Sequence, residues 1–150
     1  MMRVYPVEHG RRNPLSAVIL AVLLGIGLFF YCALPFPKGQ KMAAREERTA
    51  YLTSLGWDCR AEAETHKQIK LSDCRTGGMK EYNEMQRVCG FDLAPYVGKT
   101  VDVYTLPITN YPGWTGPVYA VLYLYRGRLI GGDIHAAALD GFMIGLESRS

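Results

Sequence analysis

The chain has no C-x-x-C pair, which sets aside the usual zinc-ribbon and thioredoxin-type sites. It has no G-x-S-x-G elbow for a hydrolase serine. GGDIHAAALDG lacks the Lys-Ser/Thr ending of a phosphate loop. Histidine is scarce, three in 150 residues, so imidazole chemistry has few places to sit. There is no internal repeat, low-complexity tract or lipidation motif. Charge of one sign is missing too. Residues 38–150 carry 14 Lys and Arg against 13 Asp and Glu, and most of the net +3 lies in residues 1–37. A nearly neutral domain lacks the basic face that phosphate binding needs, so no nucleic-acid partner is expected.

What is present is one long apolar run. Residues 15–34, LSAVILAVLLGIGLFFYCAL, hold no charge. As a helix they would reach about 30 Å, the thickness of a bilayer core. The run is too long for a cleaved signal peptide, and Tyr31-Cys32-Ala33-Leu34-Pro35 puts bulky residues where a small-residue cut site would lie. Phe29-Phe30-Tyr31 is too bulky for a lipobox before Cys32. An uncleaved membrane anchor is expected, with the lipid bilayer as its partner through residues 15–34. Phe29, Phe30 and Tyr31 suit the interface, and Pro35 and Pro37 stop the helix. Basic residues flank both ends, so their count does not set the orientation. The short basic tail before the run favours the tail inside and the domain outside. The expected division is a tail at 1–14, the span at 15–34, a linker at 35–41 and an extracytoplasmic domain at 42–150.

Within the domain, residues 41–55 have helical spacing through Ala44, Tyr51, Leu52 and Leu55, with the Arg45–Arg48 charges on a solvated face. Residues 57–64 alternate as a half-buried strand. Residues 66–71 suggest a partner strand, and 79–89 a helix through Met79, Tyr82, Met85, Gln86 and Cys89. Residues 99–109 read as a strand that Pro107 places at an edge or bulge. Residues 118–125, VYAVLYLY, are apolar on both faces and read as a central strand. Arg126-Gly127 turns it into a hairpin with 128–134, where Gly131-Gly132 marks a bulge or close approach. Leu139, Phe142, Met143 and Leu146 predict a short helix at 136–146. The fold class is α+β: a two-layer domain with a four- to five-stranded, mostly antiparallel sheet and about three helices, behind one N-terminal transmembrane helix.

Several short blocks occur in order: Tyr51-Leu52 with Leu55-Gly56-Trp57, Tyr82-Asn83 and Gln86, Gly90-Phe91-Asp92-Leu93 with Tyr96 and Gly98-Lys99, Gly131-Gly132-Asp133-Ile134, and Gly141-Phe142-Met143 with Gly145-Leu146. In these the chain resembles the domain-of-unknown-function family 4830, over about residues 45–147. The resemblance implies a small extracytoplasmic domain behind a membrane segment and carries no activity. Cys59, Cys74 and Cys89 depart from the family's pattern, so a disulfide would belong to this chain alone.

The site candidates are few. Asp133 and His135, two apart on a strand, share a face and form a carboxylate–imidazole pair able to bind a ligand or move protons. Asp133 after two glycines also suits a purely structural role. Tyr111 and Trp114, in a turn-rich loop, are candidates for recognising a protein, peptide or glycan partner, with sheet packing as the competing reading. Cys59 with Cys74 is the favoured disulfide pair, against plain core residues. No catalytic constellation, metal site or cofactor is indicated. The expected function is a single-pass membrane-anchored domain that binds or senses a partner or ligand at the cell surface. A hydrolase or metal-dependent enzyme using Asp133 and His135, and a structural subunit of a membrane complex, are the alternatives. The topology has a direct check: a membrane-impermeant maleimide should label the domain cysteines in intact cells, after unfolding and reduction. Labelling that requires lysis would put the domain in the cytosol.

Overall fold

The computed structural model describes residues 39–147, and the expected transmembrane helix at 15–34 lies outside them. Among the described residues no helix is long and apolar enough to cross a membrane. Helix α1 is Arg45–Ser54, and a 3-10 turn at Ala61–Ala63 leads into strand β1, Thr65–Lys70. Helix α2, Gly77–Val88, precedes a second 3-10 turn at Ala94–Tyr96. Strands β2 (Thr100–Ile108), β3 (Val118–Tyr125), β4 (Arg128–Ala136) and β5 (Met143–Gly145) complete the chain. The five strands form one antiparallel meander in sequence order.

Period-two alternation sorts the side chains into two cores. Leu106, Ala120, Leu122, Leu124 and Ile134 face α1 residues Tyr51 and Leu52, with Trp57, Phe91 and Leu146. Val101, Val103 and Val121 face the other way, with Leu93, and Met79 and Tyr82 of α2 pack there. The sheet is therefore a middle layer with one helix on each face, where two layers were expected. β3 is central and buried on both faces, as its composition indicates. The β3–β4 turn puts Arg126 at φ +52° and Gly127 at φ +71°, two left-handed residues that match the strand twist.

Three local expectations are corrected. Residues 57–64 form no strand. One bridge, Cys59 with Ile108, is followed by the bond from Arg60 N to Pro107 O, and the chain then coils through Ala61–Ala63. Pro107 lies inside β2 but past the end of β1, which reaches only Thr105, so its missing N–H breaks no ladder there. Residues 136–146 form no helix. Ala136 still pairs with Val118 in β4, a turn closes from Gly141 N to Ala138 O, and Met143 returns as β5 opposite His135. Leu139, one of the residues that suggested the helix, is fully exposed at the turn. Two α-helices therefore stand among the described residues instead of about three.

The third correction is Arg48. It is not on a solvated face, because Arg48 and Glu64 keep only 4% and 5% of their side-chain surface exposed. Nε and Nη2 donate to Glu64 at 2.7 Å each, and Nη1 donates to the carbonyls of Met42 and Ala43 at 2.8 Å. The guanidinium also sits 3.6 Å from the centroid of the Tyr104 ring. The pair ties the segment before α1 to the turn before β1. Burial alone would raise the Glu64 pKa, but the hydrogen bond and charge of Arg48 outweigh it and hold it below its ordinary value. Its stabilisation is thus present above about pH 4.3, the unfolded value, and is lost as pH falls through the lower folded one. Arg48→Met should cost about 3–5 kcal/mol near neutral pH in urea denaturation. The deficit should narrow toward acid, because neutral Glu64 tolerates burial; a deficit independent of pH would refute this account.

Candidate functional site

Helix α2 repeats inward residues at three and four: Met79, Tyr82, Asn83 and Gln86. Its two buried amides are satisfied. Asn83 donates to Asp92 Oδ1 at 2.9 Å and accepts from Leu93 N at 2.7 Å, which holds the loop after the helix. Gln86 donates from Nε2 to Gly132 O and accepts from Gly132 N at Oε1, both at 2.8 Å. β5 pairs only with Asp133, Ile134 and His135, so Gly132 lies just beyond that ladder and the glutamine supplies the missing partner. A Cβ on Gly132 would lie 2.1 Å from the Val121 carbonyl oxygen and 2.6 Å from Leu146. One on Gly131 would lie 2.7 Å from Gln86 Oε1. The two glycines are thus required by close approach. The register shifts beside them, at Tyr123 and Leu124 of β3, the bulge expected there.

Between α2 and this face of the sheet lies a cleft of about 830 Å³. Met79 and Met85 of α2, Tyr119 and Tyr123 of β3, and Met143 of β5 supply much of its wall, and Lys67 of β1 is at its rim. A three-member polar chain runs along it. Tyr82 OH donates to Asp133 Oδ2 at 2.6 Å, and His135 Nδ1 lies 2.7 Å from Asp133 Oδ1. Asp133 is 2% exposed. Burial raises its pKa above the ordinary carboxylate value, and the bonds from Tyr82 and His135 oppose that rise without cancelling it. Burial and the Asp133 charge push the Tyr82 hydroxyl far above its usual value, so Tyr82 remains a donor. Burial also raises Tyr123, whose ring meets Tyr82 edge-on at 6.0 Å. With Asp133 ionised, His135 carries its proton on Nδ1 and keeps Nε2 without a partner among the described residues. An imidazole held this way can accept a proton or a ligand's hydrogen bond. Among the described residues no three His, Cys, Asp or Glu side chains group to hold a metal ion.

The structure separates the four ligand-site candidates. Asp133 and His135 join in the cleft, while Tyr111 and Trp114 pack with the core of the opposite face. Tyr111 stacks on Phe142 at 4.1 Å and on Trp57 at 5.6 Å, and Trp114 meets Phe142 edge-on at 5.6 Å. Asn110 pins their loop through Gly56 O and Asp58 N. The possible Cys59–Cys74 disulfide is not formed: Cys59, Cys74 and Cys89 are free thiols. Cys59 packs with the α1-side core and Cys74 with the α2-side core, so the sheet stands between them. A disulfide spans Cα separations of only about 4.4–6.8 Å. Burial raises all three thiol pKa values, which keeps them protonated and poorly reactive.

Tyr82 is the site residue that sequence reasoning missed. It was visible as part of a helical stripe and of the Tyr82-Asn83 block, neither of which gave it a site role, since its partner Asp133 is 51 residues away. Comparison of the chain with protein-family profiles, with curated proteins and with solved structures found no match.

Asp133→Ala leaves the Tyr82 hydroxyl and the His135 ring without their shared acceptor and should cost about 1–3 kcal/mol. Asp133→Asn should cost less, because an amide can still accept from one partner and donate to the other. The raised Asp133 pKa means that its stabilisation is present below about pH 3.9 and lost as pH rises through the folded value. That part of the stability-versus-pH curve should flatten in Asp133→Asn. An unchanged melting temperature for Asp133→Ala would show that the carboxylate holds nothing together.

Proposed function

We propose that the chain is a single-pass, membrane-anchored protein of the cell surface whose domain binds or senses a small ligand in the cleft between α2 and the sheet. The observation that carries this reading is the 830 Å³ cleft, with apolar methionine and tyrosine walls and one oriented imidazole. Binding sites combine apolar lining with a few fixed polar groups in this way. Methionine walls adapt to the shape of what they hold. The uncharged run at 15–34 supports the anchor, and the resemblance to family 4830 agrees with an extracytoplasmic placement.

A second reading has support in the Tyr82–Asp133–His135 chain. A carboxylate-held imidazole is the arrangement of a general base, so an enzyme using Asp133 and His135 fits the same cleft. A metal-dependent version fits less well, because both Asp133 oxygens already have partners.

Methionine-methyl NMR of the full chain in detergent tests the cleft directly. Phenol and indole, probes matched to its walls, should shift the methyls of Met79, Met85 and Met143. Met42, which is fully buried on the other face, should stay still. Shifts spread evenly over all methionines, or absent from the three, would overturn the binding site. Hydrolysis of a chromogenic ester that is lost in His135→Gln would favour the enzyme.

A further inference from the structure

The ends of the sheet differ in charge. One end gathers the last residue of β1, the entry to β2 and the β3–β4 turn, and brings together Lys70, Lys99, Arg126 and Arg128. Lys41 joins them through its bridge to Arg128. All five are exposed, and none belongs to an ion pair among the described residues. The opposite end carries Asp58, Glu62 and Asp140 against Arg60. Two tyrosines sit within the basic end. Lys99 Nζ lies 5.2 Å from the Tyr96 ring centroid and 5.0 Å from that of Tyr125, and the Arg126 guanidinium lies 5.2 Å from Tyr125.

The covalent chain ties this same end to the apolar run. Arg128 Nη1 donates to Gly39 O at 2.7 Å, Leu129 N to Gln40 O at 3.2 Å, and Met42 N to Gly127 O at 2.8 Å. Five residue steps separate Leu34, the last of the apolar run, from Gly39. Fully extended, they cover at most about 18 Å. If residues 15–34 cross a bilayer, the chain between Leu34 and Gly39 limits how far the basic end beside Gly39 can stand from the surface.

We propose that this end, through Lys41, Lys70, Lys99, Arg126 and Arg128 with Tyr96 and Tyr125, rests on the anionic lipid headgroups of the bilayer that holds the anchor. The proposal rests on the membrane-anchored reading. Unpaired cations are attracted to an anionic leaflet, and tyrosine rings favour the headgroup level. Each cation that reaches such a surface strengthens the contact about fivefold. Docking would also turn the acidic end outward and leave the cleft, which runs along one face of the sheet, open at the side.

The test uses the full chain in nanodiscs that contain a nitroxide-headgroup lipid, made from phosphatidylcholine alone or from equal parts phosphatidylcholine and phosphatidylglycerol. Amide signals of residue 99, residue 100 and residues 125–128 should broaden more in the anionic discs than in the neutral ones, and raised salt should remove that excess. Lys99→Gln with Arg126→Asn removes two charges, and Asn suits the left-handed turn position. This variant should lose most of the lipid-dependent broadening while its other signals stay in place. Broadening that is absent, equal in both lipids or centred on residues 58–62 and 140 would overturn the proposal alone. A chain that does not enter the discs would overturn the anchor as well.

Discussion

The side-chain amide of Gln86 on the backbone of Gly132 is the constraint on which this domain depends. Helix α2 has no strand-like edge of its own, yet it is joined to β4 by two hydrogen bonds of ladder type. That junction lies just past the end of the β5 ladder, and it is buried, so either group left alone would be costly. From this fixed point α2 runs along the sheet. Tyr82, one turn earlier, reaches Asp133, and Met79 lies beyond it. The cleft and its polar chain are thus set by how one glutamine meets one glycine.

On the other face a different clamp works. Arg48 gathers Glu64, two carbonyls and the face of Tyr104, so α1, the segment before it and the approach to β1 become one unit. Nearby, Trp57, Tyr111, Trp114 and Phe142 fill the end of the same core. The α1 face carries a charge clamp and aromatic packing and keeps an outer groove of about 570 Å³ between α1 and Ala61, while the α2 face holds its opening beside a buried carboxylate. The asymmetry locates the candidate chemistry on the α2 side.

Much of the fold was legible where a period ran long enough. The β3 sequence, apolar on both faces, announced a central strand, and Arg126-Gly127 announced its hairpin. The α2 stripe marked its own helix. Reading failed where short periods were ambiguous. Leu139, Phe142, Met143 and Leu146 mimic helical spacing, but the glycines at 141 and 145 sit against Ala136 O and Cys89 Sγ, contacts that no local pattern reveals. The alternation through Trp57 and Cys59 was real, yet it ends at the 3-10 turn Ala61–Ala63, after which Glu64 meets Arg48. At the site, Asp133 and His135 were found because they are two apart on one strand. Tyr82 was hidden by sequence distance, and Tyr111 and Trp114 looked free only because their partners, Trp57 and Phe142, are far along the chain.

The bond between Arg128 and Gly39 spans 89 residues. Every strand pairing, by contrast, joins neighbours in sequence. The β2–β3–β4 meander can therefore close hairpin by hairpin at small entropic cost, while residues 39–42 close one of the two longest hydrogen-bonded loops among the described residues, the other running from Trp57 to Glu147. In the order of assembly, the first stretch of the domain to be synthesised is among the last to find its place. It acts as a latch, fastened once the β3–β4 hairpin exists to receive it. A pull on the chain from its N-terminal side would load that latch first, before any hydrogen bond of the central strands.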